Sequence, residues 1–110
     1  MVKQVWKVNP ASMEFREGMT QTTQAMQKLG GGRFLMDATH LGALSEEDQQ
    51  WTATQWLPEA KNAGCTKMAA VVSDDIFNKM SMEETVSLFS GIEVAVFEQS
   101  PQEAFQWVTG

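Results

Sequence analysis

Asp37, Thr39 and His40 stand close together in the chain, and Ser45, Glu46 and Trp51 follow within one more loop and helix start. A carboxylate, hydroxyls and the only histidine are the ingredients of base-assisted nucleophilic catalysis. That chemistry needs a strained, glycine-flanked turn to present the nucleophile, and neither Thr39 nor Ser45 lies in one. His40 is therefore expected to be a loop histidine rather than a general base. Asp74 and Asp75 follow a second apolar run, and together with Asp37 they could hold Mg²⁺. A site of that kind also asks for a lysine near the end of a later strand, where this chain has Glu98. Acids in a first helical turn are explained by the helix dipole alone. No catalytic residue, metal or cofactor is expected. Cys65 precedes Thr66-Lys67, and Lys67 could lower its pKa, but nothing else marks it as a redox thiol.

These residues must be carried by regular elements, which the spacing predicts. Phe15, Met19, Thr22, Met26 and Leu29 form one stripe of a helix from Ser12 to Leu29, stopped by Gly30, Gly31 and Gly32. A glycine run before a helix could cradle phosphate; this one follows a helix, so it is a cap and turn. Ala53, Trp56, Leu57, Ala60 and Ala63 share a face of a second helix that Gly64 ends and Pro58 should kink. Trp51 falls on the opposite face unless the Pro58 kink or the capping loop redirects it, and left partly exposed there it would be an interaction anchor. Shorter helices are expected over Asp74 to Met80, Met82 to Phe89 and Pro101 to Val108. Ser12, Ser45, Ser73, Ser81 and Ser100 precede helical patterns and are expected to cap them, Ser81 and Ser100 with Glu84 and Glu103 completing capping boxes.

Strands are expected at Val2 to Val8, Phe34 to Asp37, Met68 to Val72 and Ile92 to Phe97. The middle two are continuous apolar runs, as in strands buried on both faces. Alternation of strand and helix implies an α/β fold: one central, mostly parallel four-stranded sheet packed with four to five helices. The expected core includes Trp6, Phe15, Leu35, Leu57, Val71, Val94 and Phe97. Ligands and partners of such sheets meet the carboxyl ends of the strands, which places Asp37, Thr39, His40, Ser45, Glu46, Trp51, Asp74 and Asp75 in one expected binding patch.

The 110 residues suffice for one domain with a real core, spanning 1–110. A net charge of −6 argues against nucleic acid, which needs clustered Lys and Arg. A single cysteine fits a reducing cytoplasm, and no apolar run is long enough to span a bilayer. The eight methionines suggest core filling with some pliable apolar surface.

Three segments, FLMDATHLGALSEEDQQWTATQWLPEAKNAGCTKMAAVV, IFNKMS and VAVFEQSPQEAFQWV, resemble the SpoIIAA-like proteins. These are small bacterial α/β domains related to the STAS (sulphate transporter and anti-sigma factor antagonist) fold, also described as STAS/SEC14-like. The resemblance covers roughly the C-terminal three-quarters and rests on the joint order of Asp37, Asp48 to Trp51, Leu57-Pro58 with Gly64, and Phe97 with Glu103-Ala104 and Trp107. Members often carry a further strand or hairpin before the Trp6 region, so an edge near Val2 to Val8 is expected to be exposed or covered by a partner, with a homodimer as one outcome. Anti-sigma antagonists carry a phosphorylatable serine in an Asp-Ser pair after the second core strand; by position that pair falls on Ser45-Glu46. The switch position thus holds Glu46, and Ser45 is the expected cap. The resemblance implies a non-enzymatic regulatory or protein-interaction module with a protein partner. The alternative is a binder of a small apolar ligand or lipid, which requires a cavity among Met19, Met26, Trp56 and Phe89.

Overall fold

The computed structural model describes residues 1–110 as an α/β domain. Four strands, β1 (Val2–Val5), β2 (Arg33–Asp37), β3 (Lys67–Val72) and β4 (Glu93–Glu98), form a wholly parallel sheet in the order β1-β2-β3-β4. The helices are α1 (Ser12–Leu29), α2 (Glu46–Trp51), α3 (Leu57–Asn62), α4 (Ile76–Ser87) and α5 (Pro101–Thr109), with a π-helical turn over Thr52–Trp56 joining α2 to α3. Because strand order follows chain order, crossovers of one hand place every connecting helix on the same face. Phe34, Met36, Met68, Ala70 and Val72 accordingly pack against Phe15, Met19 and Met26 of α1, Trp56, Leu57 and Ala60, and Met82 of α4. The opposite face, Leu35, Ala69 and Val71, is covered by α5 alone through Ala104 and Val108.

Burial follows position in the sheet. β2 and β3 are central and almost wholly buried, as their unbroken apolar runs predict. Phe15, Leu35, Leu57 and Val71 are core residues. Val94 and Phe97 are only half-buried because β4 is an edge strand, and Trp6 is half-buried because β1 ends at Val5, short of the expected Val8. Trp6 leans instead on α1, its ring 5.7 Å from that of Phe15. Leu29, the last residue of the α1 stripe, projects into solvent. The glycine run behaves as expected: Gly30, at φ 70°, closes α1 with its N–H donating to the Met26 carbonyl.

Three of the five expected serine caps are something else. Ser45 and Ser100 do cap, accepting from the N–H groups of Asp48 (3.1 Å) and Glu103 (3.4 Å). α1 starts at Ser12 as expected, but its cap position is Ala11, and the Ser12 hydroxyl donates to the Asp48 carboxylate at 2.6 Å. α4 is capped by Asp75, not Ser73. Ser81 lies buried in the middle of α4, where two helices were expected and one is found. Its hydroxyl donates back to the Asn78 carbonyl and accepts from the Leu44 N–H, both at 3.1 Å. A serine that bonds backward within a helix mimics a cap in sequence without interrupting the helix.

Pro58 lies inside the helix, at the second residue of α3. It removes one N–H, and the chain absorbs that loss by widening the preceding turn, so that the Leu57 N–H reaches back to Thr52. Both Trp56 and Leu57 thereby stay on the buried side.

Candidate functional site

The residues expected to form a patch come from the two loops after β2 and β3, at the carboxyl edge of the sheet, and from α2. Asp37 closes β2 and turns its carboxylate onto its own loop, accepting from the Thr39 N–H at 3.1 Å and the Thr39 hydroxyl at 2.7 Å. This local ring is how an Asp stabilises a turn without a further partner. His40 is exposed, with Nδ1 3.3 Å from the Thr39 oxygen. The order is therefore acid, hydroxyl, imidazole. A nucleophile relay needs the imidazole in the middle, with the acid holding its far nitrogen; here the Thr39 proton already points to Asp37.

Ser45 is occupied as the cap of α2, and Glu46 and Glu47 extend from its first turn into solvent. Asp74 is exposed, while Asp75 uses its carboxylate to accept from the N–H groups of Phe77 (2.8 Å) and Asn78 (3.3 Å). The acids point outward or into their own turns, and no three His, Cys, Asp or Glu side chains converge as metal ligands would.

Trp51 does not join them. It packs on the main core, edge-on to Phe15 at 6.3 Å, with the Arg16 guanidinium 5.4 Å over its ring. Trp51 faces α1, so it is a seam residue rather than a free anchor. Beside it lies a buried carboxylate, Asp48, which accepts from Arg16 Nε at 3.0 Å as well as from Ser12. Asp48 latches α2 to α1, a role its sequence position as an α2 first-turn acid does not disclose.

What unites the edge is Asn78, which is 2% exposed. Its amide donates to the carbonyls of Ala38 and Gly42, each at 2.9 Å, and its oxygen accepts from the Ser73 N–H at 2.9 Å. One side chain thus satisfies the backbone of the loop after β2 and the loop after β3 together. Ser81, on the next turn of α4, holds Leu44 just before the Ser45 cap. The edge is pinned at both ends. Sequence reasoning missed Asn78, one of three polar residues in the IFNKMS segment and not distinguished there from Lys79 and Ser81.

Cys65 is buried, and burial pushes its thiol above the ordinary value of 9.0, only partly offset by a hydrogen bond with the Lys67 backbone. The Lys67 ammonium sits 4.4 Å over the Trp107 ring, committed to the α5 face rather than to the thiol.

The space required by an apolar ligand is filled. Met19, Met26 and Trp56 are each no more than 1% exposed, and the Trp56 indole donates to the Met19 carbonyl at 2.8 Å. Phe89 closes on Trp56 with ring centroids 6.2 Å apart. The one cleft, about 390 Å³, is a polar surface dent lined by Thr20, Thr23, Gln24 and Gln27 of α1 and by Glu59 and Asn62. No helix is long and apolar enough to cross a membrane. No family model, curated protein or solved structure matches the chain.

Proposed function

We propose that this chain is a non-enzymatic regulatory or protein-interaction module of the SpoIIAA/STAS-like class, working in a bacterial cytoplasm. The observation that carries the reading is the pinning of two successive carboxyl-edge loops by the single buried side chain of Asn78. A rigid edge that displays Glu46, Glu47 and Asp74 outward is suited to docking, because little ordering entropy is lost when a partner binds. The acids repel anionic partners and favour a basic or apolar protein surface. Glu46 occupies the position of the family's phosphoserine as a constant charge, and Ser45 is engaged as a cap, so the module is read as lacking the switch. The packed core argues for this reading over apolar-ligand or lipid binding.

The test places a photo-reactive residue at Glu46 or Asp74, with Gln24 and Gln27 on the α1 dent as controls, in protein expressed in its own host. Crosslinks to a second protein are expected from the first two positions only. Equal yields from the control positions, or none from the edge, would remove the reading.

A further inference from the structure

Helix α4 is inside out. Its buried side carries Asn78, Ser81 and Thr85 beside a single large apolar residue, Met82. Its outer side carries Ile76, Phe77 and Met80, which are 61%, 70% and 48% exposed, and Leu88 just beyond its end is 43% exposed. Phe77, Met80 and Leu88 lie on one side of the helix, in a row with Glu84 between the last two, spaced by three, four and four residues. An apolar stripe on a surface helix normally faces the core. Here the core side is mostly polar, with Met82 and the half-buried Val86 as its apolar contacts, and the stripe faces water. Clustered exposed apolar residues of this kind mark an interaction surface.

The rim of the stripe names the partner. Asp74, Asp75, Glu83 and Glu84 are exposed along α4, and α2 packs alongside with Glu46 and Glu47 exposed in its first turn. The one cation on this face, Lys79, is engaged by Glu98 at 3.0 Å. A second copy docking face to face would bring one acidic face against another, and an anionic membrane would meet the same repulsion. We infer that the outer face of α4 docks an amphipathic helix of another protein, with apolar residues at helical spacing flanked by Lys or Arg. This rests on the interaction-module reading, which it narrows to one face and one partner chemistry.

The probe is a synthetic amphipathic helix of about 18 residues, with leucines on one stripe and lysines on its flanks. It is compared with a version carrying Glu for Lys and with a scrambled version of equal composition. Binding is followed by amide chemical shifts on the whole chain. The lysine peptide is expected to bind with shifts centred on residues 74–88, and the Glu version to bind at least about tenfold more weakly. Phe77→Ala with Met80→Ala should weaken binding by a similar factor of about ten, with melting unchanged because both side chains are exposed. Absence of binding, equal binding of the scrambled peptide, or shifts centred on Glu46 and Glu47 that ignore the double substitution would overturn the proposal. So would stronger binding to anionic vesicles, or a dimer of the unsubstituted protein that Phe77→Ala dissociates. Should photo-crosslinks from Glu46 and Asp74 persist in the double variant, this proposal fails and the interaction reading stands. Should the unsubstituted protein give no crosslinks, both fall.

Discussion

Asn78 concentrates more structural consequence than any other polar side chain in the molecule. Truncation to Ala would leave the Gly42 carbonyl and the Ser73 N–H without their partner and the Ala38 carbonyl with the Leu41 N–H alone. At roughly 1 to 3 kcal/mol for leaving a buried polar group unpaired, Asn78→Ala is expected to cost about 3 kcal/mol in denaturant unfolding. Asn78→Asp keeps the shape but points a carboxylate at two carbonyl oxygens. It should be at least as damaging at neutral pH and recover partly in acid, as the added carboxyl takes up a proton. Stability that does not differ between the two pH values would contradict this account. Cys65 gives a second dependence on pH, in the same direction but in the alkaline range. The folded chain holds the thiol proton to higher pH than the unfolded chain does. The Cys65 contribution to stability is therefore intact below the ordinary thiol value of 9.0 and lost as pH rises above it. Thermal melting from neutral to alkaline pH should show a decline that Cys65→Ala reduces. Iodoacetamide should label the native thiol much more slowly than the denatured one.

Among the elements, α1 shows how a small residue decides a packing. A Cβ at Gly18 would lie 2.5 Å from Cη2 of Trp6. Ala is favoured over Gly in a helix interior by about 1 kcal/mol, whereas overpacking a filled contact costs roughly 1 to 3 kcal/mol. The clash wins. Gly18→Ala is expected to destabilise by about 1 kcal/mol and to shift tryptophan emission to the red as Trp6 leaves Phe15 for solvent. An unshifted spectrum with a gain in stability would show that the ring accommodates the methyl. The π turn at Thr52–Trp56 is the complementary case: a missing N–H at Pro58 is absorbed by one wider turn, and the rod from α2 to α3 continues.

Over the whole molecule, stability rests on an asymmetric pair of layers. The face under α1, α3 and α4 holds sixteen buried residues, and the face under α5 holds five. Both are filled by apolar side chains, and folding is expected to be independent of metal. Melting with and without EDTA should agree to within about 5 °C, equivalent to roughly 1 kcal/mol in a domain of this size; a larger drop would reveal a structural ion. The −6 charge is spread mainly through exposed acids on helix starts, and the carboxyl edge is where several of them meet. That convergence belongs to the topology, since parallel strands deliver successive loops to one side.

The sequence by itself determined the class of fold, the four strands and the ends of α1, because those depend on local patterns: apolar runs, a stripe at helical spacing, glycines that stop a helix. It also determined the caps at Ser45 and Ser100, where the acceptor and donor lie three residues apart. Tertiary structure alone decided whether Ser81 ends a helix or bonds within one, since the answer depends on Leu44, thirty-seven residues away. The same holds for Trp51, whose helical position is local but whose burial is set by Phe15 and Arg16 across the α1 seam. α4 is the clearest instance. Apolar residues occur on both of its sides, so periodicity cannot choose between them. The choice is made by Asn78, whose hydrogen bonds to loops distant in sequence turn the polar side inward and leave Phe77 and Met80 facing water.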